Sequence, residues 1–482
     1  MFSLILLHLY SGNVLKVPAV KLVLPKMKIK KEVSLAERVI HKDKFLEKAV
    51  KGFMSHNHEI VSIQHDLTAT MYDYNRARGD ILPQLDFVSG LKSEQVLGAR
   101  QGDLGYQNTK DTSANYGLRA TYVLFNGFAN INGVRAKDFE VQSKLYKGVD
   151  TVAKKLLEFI KLILTIQASE LQVEIGKRDV ARKQKMYQEA KNRVVAGAAG
   201  KQDEFQARAI LDEATGKKGD AETDFKNTTV KFLEWTGVTY ERMPWLAIPE
   251  ELLTKLDKLE ATLHKTNVSI LQAQADMRSK EKNQKATNGK LFSPKFNLEF
   301  NANNRIGKLS AVNSQTNEPN SSSRSNTQTE LTTNLQCTLP LWSGGSDKSE
   351  ALQASKAVAA ARHGFYSAAQ DAKIDFQNAK ESFLSAQNDH TLYLSIVENY
   401  QKSYEIALDK YQSGAIGFTD LSEIANNLER AEQVLVRKDK DLRQTAWELI
   451  KVLGSLTPSK LCASLDKNFD PFSDYNRIKS CI

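Results

Sequence analysis

Apolar residues follow helical spacing along most of this chain, and two stretches in each half break into period-two alternation. From Leu35 to Asp80 the pattern is helical, and Pro83 ends it. Strands at about 84–99 and 114–126 follow, before Asn126-Gly127. No proline then intervenes as far as Val195, so a helix of about 65 to 70 residues, roughly 100 Å long, is expected. A glycine turn at 197–203 leads into a further helix from about Gln202 to Trp235.

The same plan recurs. Leu124-Phe-Asn-Gly-Phe128 corresponds to Leu341-Trp-Ser-Gly-Gly345, displaced by about 217 positions. Gly197-Ala-Ala-Gly-Lys-Gln-Asp203 corresponds to Gly414-Ala-Ile-Gly-Phe-Thr-Asp420, and Gly237 to Gly454, at the same displacement. Asn57 pairs with Asn267 and Pro83 with Pro294 at slightly different spacing. The chain divides into an N-terminal segment (1–34), a first repeat (35–237), a connector (238–250), a second repeat (251–454) and a tail (455–482). The second repeat is expected to hold helices near Glu251–Asn288, Asp347–Gln412 and Thr419–Leu453, strands at about 294–307 and 328–342, and a turn at 414–420. Helices of such length point to coiled-coil packing. Ala369, Ala372, Ala379 and Ala386 form a small-residue seam, which an ordinary coiled-coil core would also show.

The strands carry the most information. Phe296, Leu298, Phe300, Ala302 and Ile306 alternate with Asn297, Glu299, Asn301, Asn303 and Arg305. Leu331, Leu335, Cys337, Leu339 and Leu341 stand against Thr332, Asn334, Gln336 and Thr338. Tyr116, Leu118, Ala120, Tyr122 and Leu124 oppose Arg119 and Thr121, and Leu85, Phe87 and Leu91 oppose Asp86 and Lys92. Alternating segments of about ten residues mark transmembrane β-barrel strands, and the polar connectors at Arg100–Ser113 and Ala311–Gln328 read as exposed loops. Four strands cannot close a barrel, since the smallest use about eight. Sheet edges left open in lipid strand backbone groups at several kcal/mol each. Lipid-facing strands would therefore need other copies of the chain to complete the wall. The competing reading is a soluble sandwich beside coiled coils, in a scaffold or interaction protein.

Composition trims the alternatives. Of 482 residues, 41% are hydrophobic and only 10 are proline, which suits long helices in an ordered protein. The net charge is +10, with 67 bases interleaved among 57 acids, so no basic face marks a nucleic-acid partner. No run reaches the roughly 20 apolar residues of a membrane-spanning helix. Leu4–Leu9 lacks a preceding basic residue and makes a poor secretory signal, which leaves an atypical signal ending near Ala19 or a true start at Met27. Cys337, Cys462 and Cys481 have no zinc-site spacing, and a Cys462–Cys481 bridge would require an oxidising compartment.

The two strand-to-helix junctions and the two glycine-to-aspartate turns, each followed by an Ala- or Leu-rich helix, resemble the TolC-like outer-membrane efflux and secretion channel family. The resemblance runs from about Ala36 to Gly454. It implies a homotrimer whose twelve-stranded barrel sits in outer-membrane lipid and whose helices form a periplasmic tunnel. The tunnel's closed inner tip would open on engaging a periplasmic adaptor and an inner-membrane ABC or proton-driven transporter. By the same resemblance Tyr411 matches the gate tyrosine, while Asp420 and Glu423 match an acidic constriction with Glu423 in place of an aspartate. Gly197, Asp203 and Gly414 mark the tip turns, and Ile416 departs from a gate arginine. Asp420 is equally suited to capping the following helix, and Asp203 more so. The tail, with Phe469-Asp-Pro-Phe472 and Tyr475, is similar to members serving type I protein secretion, and no early cysteine offers a lipoprotein anchor.

No catalytic chemistry is expected and no cofactor. His56-Asn57-His58 and His65 sit in a helical pattern without a nuclease framework. Gly200-Lys201 lacks the first glycine and the Ser/Thr of a phosphate loop.

Overall fold

The computed structural model describes residues 44–100, 106–243, 245–249, 252, 259–291, 293–312, 324–463 and 465–466. The N-terminal segment 1–34, the motif Phe469–Phe472 with Tyr475, and the Cys462 and Cys481 side chains lie outside the described residues. The first repeat comprises α1 (Lys44–His56), α2 (His58–Gly79), β1 (Gln84–Arg100), β2 (Tyr106–Asn126), α3 (Ala129–Val195) and α4 (Lys201–Thr236). A short strand β3 (Trp245–Leu246) follows. The second repeat runs α5 (Leu263–Thr266), α6 (Val268–Asn288), β4 (Lys295–Val312), β5 (Arg324–Thr338), α7 (Ser346–Gln412) and α8 (Phe418–Val452). The helix α9 (Pro458–Ala463) and β6 (Leu465–Asp466), which pairs with β3, close the described chain.

The first helical run differs from its periodicity. It breaks at Asn57, whose side chain accepts from the Glu59 and Ile60 amides at 3.1 and 3.2 Å and starts α2. Asn267 does the same before α6, accepting from the Ser269 and Ile270 amides at 3.0 and 3.2 Å. The two asparagines thus restart the equivalent helix in each repeat, an N-cap that satisfies otherwise unpaired amides.

The strand-to-helix junctions share a conformation that few residues tolerate. Gly127 and Phe128 are left-handed at φ 65° and 62°, as are Gly344 and Gly345 at 66° and 84°. Gly127 is further constrained, because a Cβ there would lie 1.7 Å from the Gly289 carbonyl oxygen. First-repeat junction and second-repeat helix therefore touch backbone to backbone.

Strand pairing gives one antiparallel four-stranded sheet of order β1-β2-β4-β5. Its register stacks Phe87 against Leu118, Leu118 against Ala302 and Ala302 against Leu331, so the apolar rows of all four strands fall on one face. Arg119, Asn301 and Thr332 line the other, where Arg119 lies 3.5 Å from Glu299. The ladders extend beyond the alternating segments into both polar connectors: β1 has 17 residues and β2 21. That exceeds the roughly 9 to 11 residues a tilted strand needs to cross a bilayer. β5 stops at Thr338 rather than near 342, because Pro340 cannot donate to the ladder.

The long helices pack as hairpins, α3 with α4 and α7 with α8, while α3 also contacts α6 and α8. Ala372 of the alanine seam is buried beside Phe376 and Phe383 on α7. Between α3 and α8 lies a buried ionic cluster. Asp179, Arg182 and Lys183 share one face of α3. Arg182 bonds Glu432 at 2.6 Å and lies 3.5 Å from Asp179. Lys183 donates to Asn426, and Lys217 of α4 approaches Glu429 at 3.6 Å from the margin. Charges balance, which such burial requires. Burial raises the Asp179 carboxyl to about 6, against the pull of Lys183. Burial likewise lowers Lys183, against the pull of Asp179 and Glu429.

Two outcomes follow from this packing. Asn267 also donates to the Val452 carbonyl at 2.8 Å and is buried, so Asn267→Ala should cost about 1 to 2 kcal/mol and more than Asn57→Ala, measured by chemical unfolding in detergent. Equal costs would contradict this. For Asp179, a native pKa above the unfolded value favours the native state most below about pH 4, and the contribution fades as pH rises through about 6. Asp179→Asn should flatten the corresponding fall in thermal stability, and an unaltered pH profile would refute the assignment.

Candidate functional site

Two features of the molecule stand out: the bare apolar sheet face and the meeting of the two helix turns. On the sheet, Leu85, Phe87 and Leu91 are 68, 69 and 88% exposed, and Leu331 and Leu335 are 69 and 61% exposed. No second sheet covers them among the described residues, which counts against the competing reading of a soluble sandwich. Cys337 lies in the same row, opposite Phe296, and is a free thiol. The outer edges of β1 and β5 have no strand partner among the described residues.

At the other site the chain turns twice in the same way. Gly197 is left-handed at φ 71°; its amide donates to Val194 at 3.1 Å, and that of Ala198 to Arg193 at 2.8 Å. Gly414, at φ 81°, donates to Tyr411 at 3.0 Å, and Ala415 donates to Lys410 at 2.8 Å. Both are glycine-dependent closures that satisfy the last carbonyls of a helix. The turns meet over an apolar cluster that joins Met186 and Ala190 of α3, Ala207 of α4, Tyr404 and Tyr411 of α7, and Leu421 of α8.

The residues expected to form a gate are near one another in sequence but differ in setting. Tyr411 is only 1% exposed, its ring edge-on to Phe418 with centroids 5.9 Å apart. Burial raises its pKa, and Arg193 opposes the shift. Asp420 and Glu423 are exposed. Asp420 accepts from the Gly417 amide at 3.4 Å, which caps α8, and lines a groove with Lys402, Lys410 and Ile416. Among the described residues no hydrogen bond, ion pair or ring contact joins Tyr411 to either carboxylate. Asp203 is half-buried in the first turn of α4, and its charge reaches Tyr411. Ile416 packs against the apolar cluster.

Sequence reasoning missed Arg193. Its guanidinium lies 4.5 Å over the Tyr411 ring and donates to the Tyr411 carbonyl, and to that of Ala198 at 3.4 Å. The repeat offered a faint signal, because the displacement that superposes the turns sets Arg193 against Lys410, which is exposed. The buried ionic cluster was also missed; a triad of charges at helical spacing reads as a solvated face until its neighbours are known.

No described helix is long and apolar enough to cross a membrane. A sequence search of curated proteins finds no match. Among solved structures, the fold is similar to a membrane protein from Pseudomonas aeruginosa, with a TM-score of 0.70 at 14% identity over 86% of this chain and 94% of that one. It is also similar to the CmeC outer membrane channel of Campylobacter jejuni, with a TM-score of 0.67 at 13% identity over 90% and 89%. The open-state MtrE outer membrane channel of Neisseria gonorrhoeae gives 0.66 at 16% identity over 86% and 90%. At such identities the likeness shows the fold. The family model described as outer membrane efflux protein matches residues 52–237 and again 262–455, one copy to each repeat. The chain therefore belongs to the outer membrane efflux protein family, a channel protein of the outer membrane and not an enzyme.

Proposed function

We propose that three copies of this chain assemble into one exit duct across the outer membrane and periplasm. The observation that carries this reading is the sheet: one bare apolar face and two edges without a strand partner among the described residues. In hydrocarbon those edges must pair, and three sheets joined β1 to β5 give a closed wall of twelve strands with the polar face turned to water. The helices support the same assembly. Leu352, Tyr366, Ile374, Leu392 and Ile406 of α7 are exposed, and they fall within about 80° of one another at 3.6 residues per turn. A neighbouring copy would cover that stripe.

In this assembly the turns at Gly197 and Gly414 form the inner tip, where a periplasmic adaptor and an inner-membrane ABC or proton-driven transporter engage and open it. Asp203 begins the helix after the first turn. Asp420 and Glu423 line the constriction, with Tyr411 packed behind them inside its own protomer, and carboxylates repeated around a threefold pore attract cations and repel anions. The cargo is a polypeptide in type I secretion or a drug in efflux, and the tail's likeness to secretion members favours the former. Energy comes from the transporter, and the duct itself is passive.

The protein should fractionate with outer membranes and migrate as a trimer that heating converts to monomer; recovery as a soluble monomer would overturn the reading. In planar bilayers, Asp420→Asn combined with Glu423→Gln should weaken cation preference. Unchanged selectivity would assign both residues to helix capping and surface solvation.

A further inference from the structure

We propose that Arg193 is the latch that holds the two hairpins of each protomer together at the tip, and that Tyr411 serves it through ring and carbonyl rather than through its hydroxyl. The inference rests on the duct reading above. Arg193 stands in the last turn of α3, and its planar guanidinium performs three tasks at once. It covers the Tyr411 ring at 4.5 Å, donates to the Tyr411 carbonyl near the end of α7, and donates to the Ala198 carbonyl in its own turn. A cation over an aromatic face is attracted by the ring quadrupole, and a positive charge beside helix C-termini meets their negative dipole ends. Two helix ends, one from each repeat, are thus fastened by one side chain. Lysine, a point charge on a flexible stem, cannot stack and fork in this way.

The hydroxyl of Tyr411 has a different standing. Its oxygen is buried and has no hydrogen-bond partner among the described residues. The whole side chain is 1% exposed inside its own protomer. A neighbouring copy therefore cannot reach that oxygen while α7 and α8 hold this position. The Tyr411 ring serves as a platform for the guanidinium, while its hydroxyl makes no hydrogen bond among the described residues. Opening by displacement of the α7–α8 hairpin from α3 must strip Arg193 from the ring and from the Tyr411 carbonyl together.

The test uses the full-length protein in planar bilayers, with uptake of a large outer-membrane-excluded antibiotic by cells as a second readout. Arg193→Gln should raise resting conductance and antibiotic uptake several-fold. Tyr411→Leu, which removes the aromatic face, should do the same. Tyr411→Phe should match the unaltered channel. Arg193→Lys keeps the charge without the fork and should fall between; it also serves if Arg193→Gln does not assemble. A leaky Tyr411→Phe would show that the hydroxyl closes the tip, and it would overturn the proposal. A conducting channel indifferent to Arg193→Gln and Arg193→Lys would sink the latch alone. No conductance from the unaltered protein would sink the duct reading and the latch with it.

Discussion

The structure depends on the cost of an unpaired backbone group in hydrocarbon. A sheet edge in water finds solvent partners, whereas an edge in lipid finds none and loses several kcal/mol per group. The chain makes four long strands, gives them one apolar face, and then leaves β1 and β5 without outer partners among the described residues. Such a sheet is unfinished by itself. Membership of the outer membrane efflux protein family supplies the membrane. The need to pair both edges then supplies the motive for assembly, and the exposed stripe along α7 extends the same logic away from the sheet.

Length is the second constraint. α3 and α7 each run 67 residues without proline, so the element that anchors in the sheet also carries the distant turn. A rod of that length needs fixing against its neighbour. Apolar packing does most of this, and the Asp179–Arg182–Lys183 face of α3 adds direction, because buried charges tolerate only a matching surface on α8. Arg193 repeats the principle at the turn, with carbonyls and an aromatic ring in place of carboxylates.

Much of this was legible in the residues. The duplication showed in Leu124–Phe128 against Leu341–Gly345, and the structure gives the motif a cause: successive left-handed residues at each strand-to-helix junction. The apolar and polar faces of the sheet were readable because strand periodicity is local and register preserves it. Asn57 illustrates the failure. Periodicity ran through it, since a cap that restarts a helix scarcely disturbs the apolar spacing on either side. Arg193 and the ionic cluster were illegible for a deeper reason. Their partners on the second hairpin lie more than two hundred positions away, and charge at helical spacing looks the same whether it faces water or another helix.

The central claim is that the apolar sheet face meets lipid while its reverse lines water, and thiol accessibility along β4 measures this most directly. In cells expressing the protein with Cys337, Cys462 and Cys481 each changed to serine, single substitutions Asn297→Cys through Asn303→Cys would be challenged with a membrane-impermeant maleimide. The account requires labelling at 297, 299, 301 and 303 and protection at 298, 300 and 302. Equal labelling of both rows, or protection of the polar row, would contradict it.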